Sequence, residues 1–396
     1  MKSAASLSSV RLAGLDHLRL LVVGLVVVLH AAMSYMSPEL PWWYVVDPPG
    51  SVLFTVVVLA IDVPIMFILF FLAGYFAWSS VVRSGSRRFI AGKARRIALP
   101  WLIGVLLLSP PLAYLILATR GIGEGLGVFW TGAYWGPLYQ QSVYWFLGVL
   151  FLFFLVVAVL YRLPAVRAWI DRDVESCSRS SRRRRYLALG GFWLATAVVF
   201  FVVHRRVPLD TWSNWGYVFM VQPNRFAVYG AYFALGFVAG RGRWLHREWL
   251  RDDRAWPRVS TWGALFGISM VAYLANRILV APELRAQVTV QAVTALQFTG
   301  TVLSGLLFSL ALARTVLENL GARWGRAARY SYWIYFLHPL VLYPLIWALR
   351  GLSWLPSLAA FLIAVVVTLA VSWGGAELLS SLLRRVAPSE ARESTT

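Results

Sequence analysis

The sequence predicts an all-α membrane protein, a polytopic helix bundle with about ten transmembrane helices. Of its 396 residues, 59% are hydrophobic and only 14% are charged, whereas a soluble domain holds about 25% charged residues. The mean hydropathy is +0.67. This composition excludes a soluble globular enzyme, a disordered chain and a coiled coil. The single cysteine, Cys177, excludes an internal disulfide.

Ten mainly apolar runs are candidates to cross the hydrocarbon core, which takes about 20 helical residues, although the sixth run is short and the last is long. They cover residues 18–37, 52–78, 99–118, 143–161, 186–203, 226–240, 260–280, 288–313, 330–349 and 354–383. They lack the alternation of polar and apolar residues that a membrane β-barrel requires, so we expect helices. We expect the first run to be a span rather than a cleaved signal peptide, because the charged segment 16–19 leads into it.

The positive charge indicates the orientation of these spans. The formal net charge of +20 comes from 37 Lys and Arg against 17 Asp and Glu. With the N-terminus in the cytoplasm, 30 of the 37 cations fall in cytoplasmic segments and 7 on the other side. Such an asymmetry orients membrane proteins, so both termini are predicted to be cytoplasmic and no nucleic-acid partner is expected. We expect residues 1–387 to form one transmembrane domain and 388–396 a short tail.

Three ionisable side chains lie deep in predicted spans, where such groups are costly and usually functional. They are His30 in the first span, Asp62 in the second and His338 in the ninth. Because the first two spans run in opposite directions, His30 and Asp62 are expected at similar depth. Asp62 is then predicted to orient the His30 imidazole, as the acid of a catalytic triad does. The alternative is a structural ion pair between Asp62 and Arg225.

A group of cations is expected at the cytoplasmic end of this histidine face. Arg19 precedes His30 by eleven residues, which is about 20° past three full turns and a rise of about 16 Å. Lys93, Arg95 and Arg96 lie at the same membrane surface, just before the third span. Converging cations would suit a ligand with several phosphates. The alternative is ordinary positive flanking of a span.

Ser331, Tyr335 and His338 are spaced four and three residues apart, so they share one helix face. This face is predicted to bind a substrate, or alternatively to form a polar seam between helices.

Other polar and aromatic residues have simpler interpretations. A polar cavity is predicted from Asn224, Arg225, Asn276, Arg277, Gln291 and Gln297. Interfacial aromatic belts are predicted from Trp42, Trp43, Tyr44, Tyr144 and Trp145. No metal site is expected, since no His and Cys residues cluster at metal-binding spacing.

Together these motifs resemble the integral-membrane acyltransferase 3 family. Arg19 and His30 match its Arg-x10-His pattern, and PIMFILFFLAGYF in the second span resembles its Phe-rich run. The basic start of the third span, VYWFLGVLFLFFLV in the fourth and SYWIYFLHPLVLYP in the ninth follow in the family's order. Where the family has Arg-x-x-Arg, this chain has Lys93-Ala-Arg-Arg96, and lysine lacks the bidentate fork. Within the family, the opening segments resemble the glucan biosynthesis protein C type, a succinyltransferase.

The resemblance implies transfer of an acyl group from cytoplasmic acyl-CoA, such as acetyl-CoA or succinyl-CoA, to a hydroxyl of an extracytoplasmic acceptor. A glycan or glycolipid of the cell envelope is the expected acceptor, membrane lipids surround the protein, and the bacterial inner membrane is the expected location. His30 and Asp62 would be catalytic, either by direct transfer or through an acyl-histidine intermediate. The donor would be bound by Arg19, Lys93, Arg95 and Arg96, and the acceptor or the developing oxyanion by Ser331, Tyr335 and His338.

A proton-coupled transporter or flippase of an envelope intermediate is the alternative function. In that interpretation His30 and Asp62 would carry protons and the arginines would bind lipid headgroups. The sequence shows no internal repeat of the kind found in many transporters, which favours the enzyme.

Overall fold

Long helices make up most of the protein, as the sequence predicts. The computed structural model describes residues 12–123, 125–172, 182–242, 244–245, 258–352 and 354–386. Within them, the strands are β1 (Ser213–Trp215) and β2 (Phe219–Val221), which form a short antiparallel hairpin. Cys177 and the predicted tail 388–396 lie outside the described residues.

The α-helices are numbered in chain order, and those that overlap the predicted spans are joined by shorter ones. They are α1 (Ala13–Ala32), α2 (Val52–Lys93), α3 (Leu99–Ile103), α4 (Ser109–Ala118), α5 (Leu126–Thr131), α6 (Trp145–Leu160), α7 (Pro164–Asp171), α8 (Arg182–His204), α9 (Pro223–Arg241), α10 (Val259–Leu279), α11 (Val288–Thr315), α12 (Ala322–Arg329), α13 (Ser331–Arg350) and α14 (Ser357–Val386). Two π-helical segments, Ala94–Ala98 and Gly104–Leu108, connect α2, α3 and α4 without a loop.

Eight helices in the described ranges are long and apolar enough to cross a membrane. One of them, Val52–Ala118, contains both the second and the third predicted span. Its two arms meet at Gly85, whose φ of 69° and ψ of 165° interrupt the helix, and glycine adopts this φ without a steric penalty. The arms fold back on each other, so that their far ends meet. The Arg120 guanidinium, just after the second arm, donates to the backbone oxygen of Trp43, which lies before the start of the first arm.

The helix α9 overlaps the sixth predicted span but is not among these eight. It carries Asn224 and Arg225 near its start and Arg241 at its end, so it is less apolar than its neighbours. All ten predicted spans therefore overlap helices, although the sixth has the weakest apolar signal.

Contacts between helix ends agree with the predicted alternation of the spans across the membrane. The backbone N–H of Gly14, where α1 begins, donates to Glu318 just beyond the end of α11 at 2.7 Å. At the other end, the Arg350 guanidinium donates to the backbone oxygen of Thr119 at 3.0 Å. Each contact joins two ends that the alternation places on one side of the membrane.

The helices α2 and α9 run parallel and pack with their backbones almost in contact. Asp62 contacts Arg225 and, further along both helices, Phe71 contacts Gly236. A Cβ at Gly236 would lie 2.0 Å from the backbone oxygen of Phe71, and a Cβ at Gly74 would lie equally close to a backbone oxygen of α9. Small residues allow this close approach between membrane helices.

Candidate active site

Two histidine rings meet where α1 lies beside α13. Nδ1 of His30, in the last turn of α1, lies 3.0 Å from Nε2 of His338. The ring centroids are 5.2 Å apart and the ring planes are inclined by 16°. His338 is fully buried, whereas His30 keeps part of its surface exposed. The accessible member of the pair is therefore His30.

Hydrogen bonds assign the tautomers of this pair. Nδ1 of His338 lies 2.6 Å from the backbone oxygen of Tyr335, and because a carbonyl only accepts, Nδ1 carries the proton. Nε2 of the neutral His338 ring is then an acceptor, so Nδ1 of His30 donates to it. Nε2 of His30 keeps its lone pair and has no hydrogen-bond partner among the described residues. This is the arrangement of a general base.

Aromatic side chains pack against one side of the His30–His338 pair. The Trp43 ring lies 5.7 Å from the His30 ring and 5.5 Å from Tyr343, and Tyr44 stacks on Tyr343 at 4.3 Å. Trp43, Tyr44 and Tyr144 are almost completely buried. The predicted interfacial belt is therefore wrong for these three residues, because their segments fold inward over the bundle instead of facing lipid.

The segment 33–51 holds Trp43 in this position at the predicted extracytoplasmic end. The backbone N–H of Asp47 donates to the backbone oxygen of Ser34 at 2.9 Å, which closes the segment on itself. Burial raises the pKa of the Asp47 carboxyl, and the nearby positive charge of Arg350 acts in the opposite direction. Through the Trp43 ring, this segment contacts His30 from outside the helices.

Asp62 contacts an arginine instead of His30. Its Oδ2 accepts from Nη1 of Arg225 at 2.6 Å, and Nη2 of the same arginine donates to Asp210 at 2.8 Å. The predicted pairing of Asp62 with His30 is therefore wrong, and the structural alternative with Arg225 is observed. A charged guanidinium is a stronger partner for a carboxylate than a neutral imidazole that already donates to His338. The predicted catalytic role of Asp62 depended on the pairing that is not found.

Three of the four predicted donor-binding cations come together where α1 begins. The Lys93 ammonium is close enough to the guanidiniums of Arg96 and Arg19 for their charges to interact. Lys93 Nζ also lies 4.3 Å from the centre of the Phe154 ring, and Arg19 contacts Asp16 at 3.3 Å. We call Arg19, Lys93 and Arg96 the basic cluster.

The fourth cation, Arg95, lies beside the basic cluster on the π-helical segment Ala94–Ala98. Its side chain is exposed, as is that of Arg96, and it makes no hydrogen bond or ion pair within the described ranges. The π-helix is rare and is often found at functional sites. Here its wider turn carries two exposed arginines at the predicted cytoplasmic surface.

The polar face of α13 is buried. The Tyr335 hydroxyl donates to the backbone oxygen of Val143, and Ser331 is 2% exposed. For Tyr335 the structure thus shows the polar seam between helices that was the alternative interpretation. An acceptor-binding role for Ser331, Tyr335 or His338 stays a prediction.

Three of the six residues predicted to line a polar cavity do so, at the predicted extracytoplasmic end of the bundle, whereas Asn224, Arg225 and Gln297 do not line it. Asn276, Arg277 and Gln291 line a cleft of about 460 Å³ there. Gln297 lies next to it and accepts a hydrogen bond from Asn276 at 2.6 Å. The sequence did not single out Asp210, which lies in the connection before β1 and accepts from both Arg225 and Arg277.

One family matches nearly the whole chain. A family model described as an acyltransferase domain (Acyl_transf_3) matches residues 12–377. The matched range begins just before α1 and ends within α14, so it includes both histidines and the basic cluster. No curated protein and no solved structure matches the chain.

Proposed function

Because this chain belongs to the acyltransferase 3 family and is a membrane-bound acyltransferase, we propose that it moves an acyl group from cytoplasmic acyl-CoA to a hydroxyl of an extracytoplasmic acceptor. The proposed donor is acetyl-CoA or succinyl-CoA. The proposed acceptor is a glycan or glycolipid of the cell envelope, and the proposed location is the bacterial inner membrane. The observation that carries this proposal is the His30–His338 pair, which leaves one basic nitrogen of a partly exposed histidine unpaired.

The basic cluster is the proposed site for the phosphates of the donor. Guanidinium groups bind phosphate oxygens through short, charge-assisted hydrogen bonds, and Lys93 adds a compact positive charge. Arg19 and His30 lie on the same face of α1, about 16 Å apart along its axis. This rise is roughly the length of the pantetheine arm of coenzyme A, so a thioester held at the basic cluster would reach His30.

The proposed reaction uses Nε2 of His30 as a general base. It takes the proton of the acceptor hydroxyl while the hydroxyl oxygen attacks the thioester carbonyl carbon. The new C–O bond forms, the C–S bond breaks, and the proton passes from His30 to the sulfur that leaves as free coenzyme A. His338 is a positioning residue, because it fixes the His30 tautomer through Nδ1. General-base catalysis contributes about 10²–10⁴-fold to a rate.

Substitution of His30 tests this function. Membranes containing wild-type protein or His30→Ala are incubated with radiolabelled acetyl-CoA or succinyl-CoA, and label is followed into acceptor and protein. We expect His30→Ala to lower transfer by about 10²-fold or more, while the elution profile and melting temperature of the purified protein stay close to those of the wild type. Full transfer activity in this variant would contradict the proposal. Label that accumulates on wild-type protein without acceptor would indicate the acyl-histidine route.

A further inference from the structure

A cleft lined by arginines lies at the predicted extracytoplasmic end of the described structure. It lies between the ends of α8 and α10 and the start of α11, and four arginines line it. They are Arg205, Arg206, Arg277 and Arg285, and among the described residues no carboxylate lines the cleft. The basic cluster lies at the opposite end of the bundle, so the two groups of cations are separate.

The few Lys and Arg residues predicted on the extracytoplasmic side are concentrated at this cleft. Only 7 of the 37 Lys and Arg are predicted to be extracytoplasmic, as expected for a membrane protein. Four of these seven line the cleft, and a fifth, Arg225, shares Asp210 with Arg277. The enrichment of Lys and Arg in cytoplasmic segments cannot explain why these five arginines are grouped, because it places cations on the cytoplasmic side.

The carboxylates nearby do not neutralise the five arginines. Asp62 pairs with Arg225, and Asp210 pairs with Arg225 and Arg277. Glu283, on the neighbouring 3₁₀ turn, is exposed and does not line the cleft. With Glu283 counted as well, five arginines against three carboxylates leave two positive charges, which a phosphate monoester with about two negative charges matches better than a single carboxylate does.

Three of the four arginines are held in place by hydrogen bonds, and the group still has N–H groups to donate. Nη1 of Arg205 donates to Gln291 at 2.8 Å, and Nη2 of Arg285 donates to the backbone oxygen of Arg277 at 3.0 Å. Nε of Arg277 is buried and has no hydrogen-bond partner in the described part of the chain. The Arg206 side chain likewise makes no hydrogen bond or ion pair with any described residue. Several guanidinium donors are thus free to bind an oxyanion.

We propose that this cleft binds the phosphate group of an extracytoplasmic ligand, at a site separate from the histidine pair. Guanidinium donors on several sides of one cleft suit the three oxygens of a phosphate. The phosphate belongs either to a lipid headgroup or to a small soluble molecule, and both present the same group to the arginines. The cleft lies on the side of the proposed acceptor, but this inference does not depend on acyl transfer.

Binding to the purified full-length protein in an uncharged detergent tests the site. The probes are dihexanoyl phosphatidic acid, inorganic phosphate and, as a lipid without a phosphate monoester, dihexanoyl phosphatidylcholine. The variant is Arg206→Gln, because this side chain makes no hydrogen bond or ion pair within the described structure, so its loss should leave the fold intact. We expect it to weaken binding of phosphatidic acid about tenfold, the usual effect of losing one charge-assisted hydrogen bond.

Arg88→Gln is the matched control, because Arg88 lines another arginine-rich cleft, at the predicted cytoplasmic end. It should bind phosphatidic acid as the wild type does, and His30→Ala should do the same. Binding of phosphatidic acid alone would identify a lipid headgroup as the ligand, and binding of phosphate as well would identify the phosphate group itself. Equal affinity of Arg206→Gln and wild type, an equal loss in Arg88→Gln, or no binding of either phosphate probe would overturn the proposal.

Discussion

At the scale of single residues, His338 holds the position that a carboxylate holds in hydrolase triads. It accepts from Nδ1 of His30 and is itself fixed by the backbone oxygen of Tyr335. Both contacts orient the ring of His30 and set its tautomer, which is the positioning part of a triad acid's role. His338 differs from a triad acid in one respect, since the neutral ring brings no negative charge.

Two substitutions of His338 distinguish its hydrogen bond to His30 from the space that its side chain fills. Glutamine can place an amide oxygen near the position of Nε2 and accept from His30, whereas leucine cannot. We expect His338→Leu to lower kcat about tenfold or more and His338→Gln to retain clearly more activity. KM for acyl-CoA should stay the same in both, because the basic cluster is at the other end of α1. Equal kcat values for the two variants would show that the hydrogen bond to His30 is irrelevant.

The residues of the site were easier to predict than their contacts. His30 and His338 stand out in the sequence because ionisable groups inside a membrane are rare. Their contact joins positions 308 residues apart, and helix spacing cannot rank His338 against Asp62 as the partner of His30. Asp210 could not be singled out from the sequence, because carboxylates are common in the connections between membrane helices.

At the scale of helices, the α2–α9 pair depends on glycines that bring two backbones together. Gly74 and Gly236 each face a backbone oxygen of the partner helix. This packing fixes the pair in register, and the same two helices carry Asp62 and Arg225. The ion pair near one end is thus supported by close packing further along.

Adding one methyl group at this contact should destabilise the protein. In Gly236→Ala the new Cβ would lie 2.0 Å from the backbone oxygen of Phe71, so the helices would have to separate. We expect the free energy of unfolding to fall by about 1–3 kcal/mol. Gly190→Ala is the control, because nothing lies within 4 Å of a Cβ at that position of α8. Thermal unfolding in detergent compares the two, and similar midpoints would argue against the close contact.

Hydropathy predicts which segments become helices better than it predicts how they join. The first span was expected at 18–37, but α1 covers Ala13–Ala32, because a helix begins before the apolar run and the segment after it folds over the site. The sequence assigned no structure to the charged segment between the second and third predicted spans. The structure continues the helix through this segment, because Arg and Lys are good helix formers outside the membrane. The helix is interrupted only locally, at Gly85.

At the scale of the whole molecule, the ends of the helices form two distinct surfaces. Contacts such as those of Gly14 with Glu318 and of Arg350 with Thr119 group the ends as the alternation of spans requires. The count of Lys and Arg, 30 against 7, then predicts which surface is cytoplasmic.

Labelling of single cysteines in intact cells tests this orientation. In a Cys177→Ala background, Ile122→Cys and Leu163→Cys each place a thiol at an exposed position, one at either end of the bundle. We expect a membrane-impermeant maleimide to label Ile122→Cys in intact cells, and to label Leu163→Cys only after the membrane is opened. The reverse pattern would invert the predicted topology.

The absence of a carboxylate beside His30 has a kinetic consequence. Within the described residues its ring partner is a neutral imidazole, so an imidazolium formed on His30 would gain no ion pair and would be short-lived. A thiolate is more basic than imidazole, so the departing sulfur of a thioester is a ready destination for that proton. Proton transfer from the acceptor hydroxyl to His30 should therefore overlap in time with proton transfer from His30 to the sulfur. Because both protons move in the transition state, turnover should be slower in heavy water.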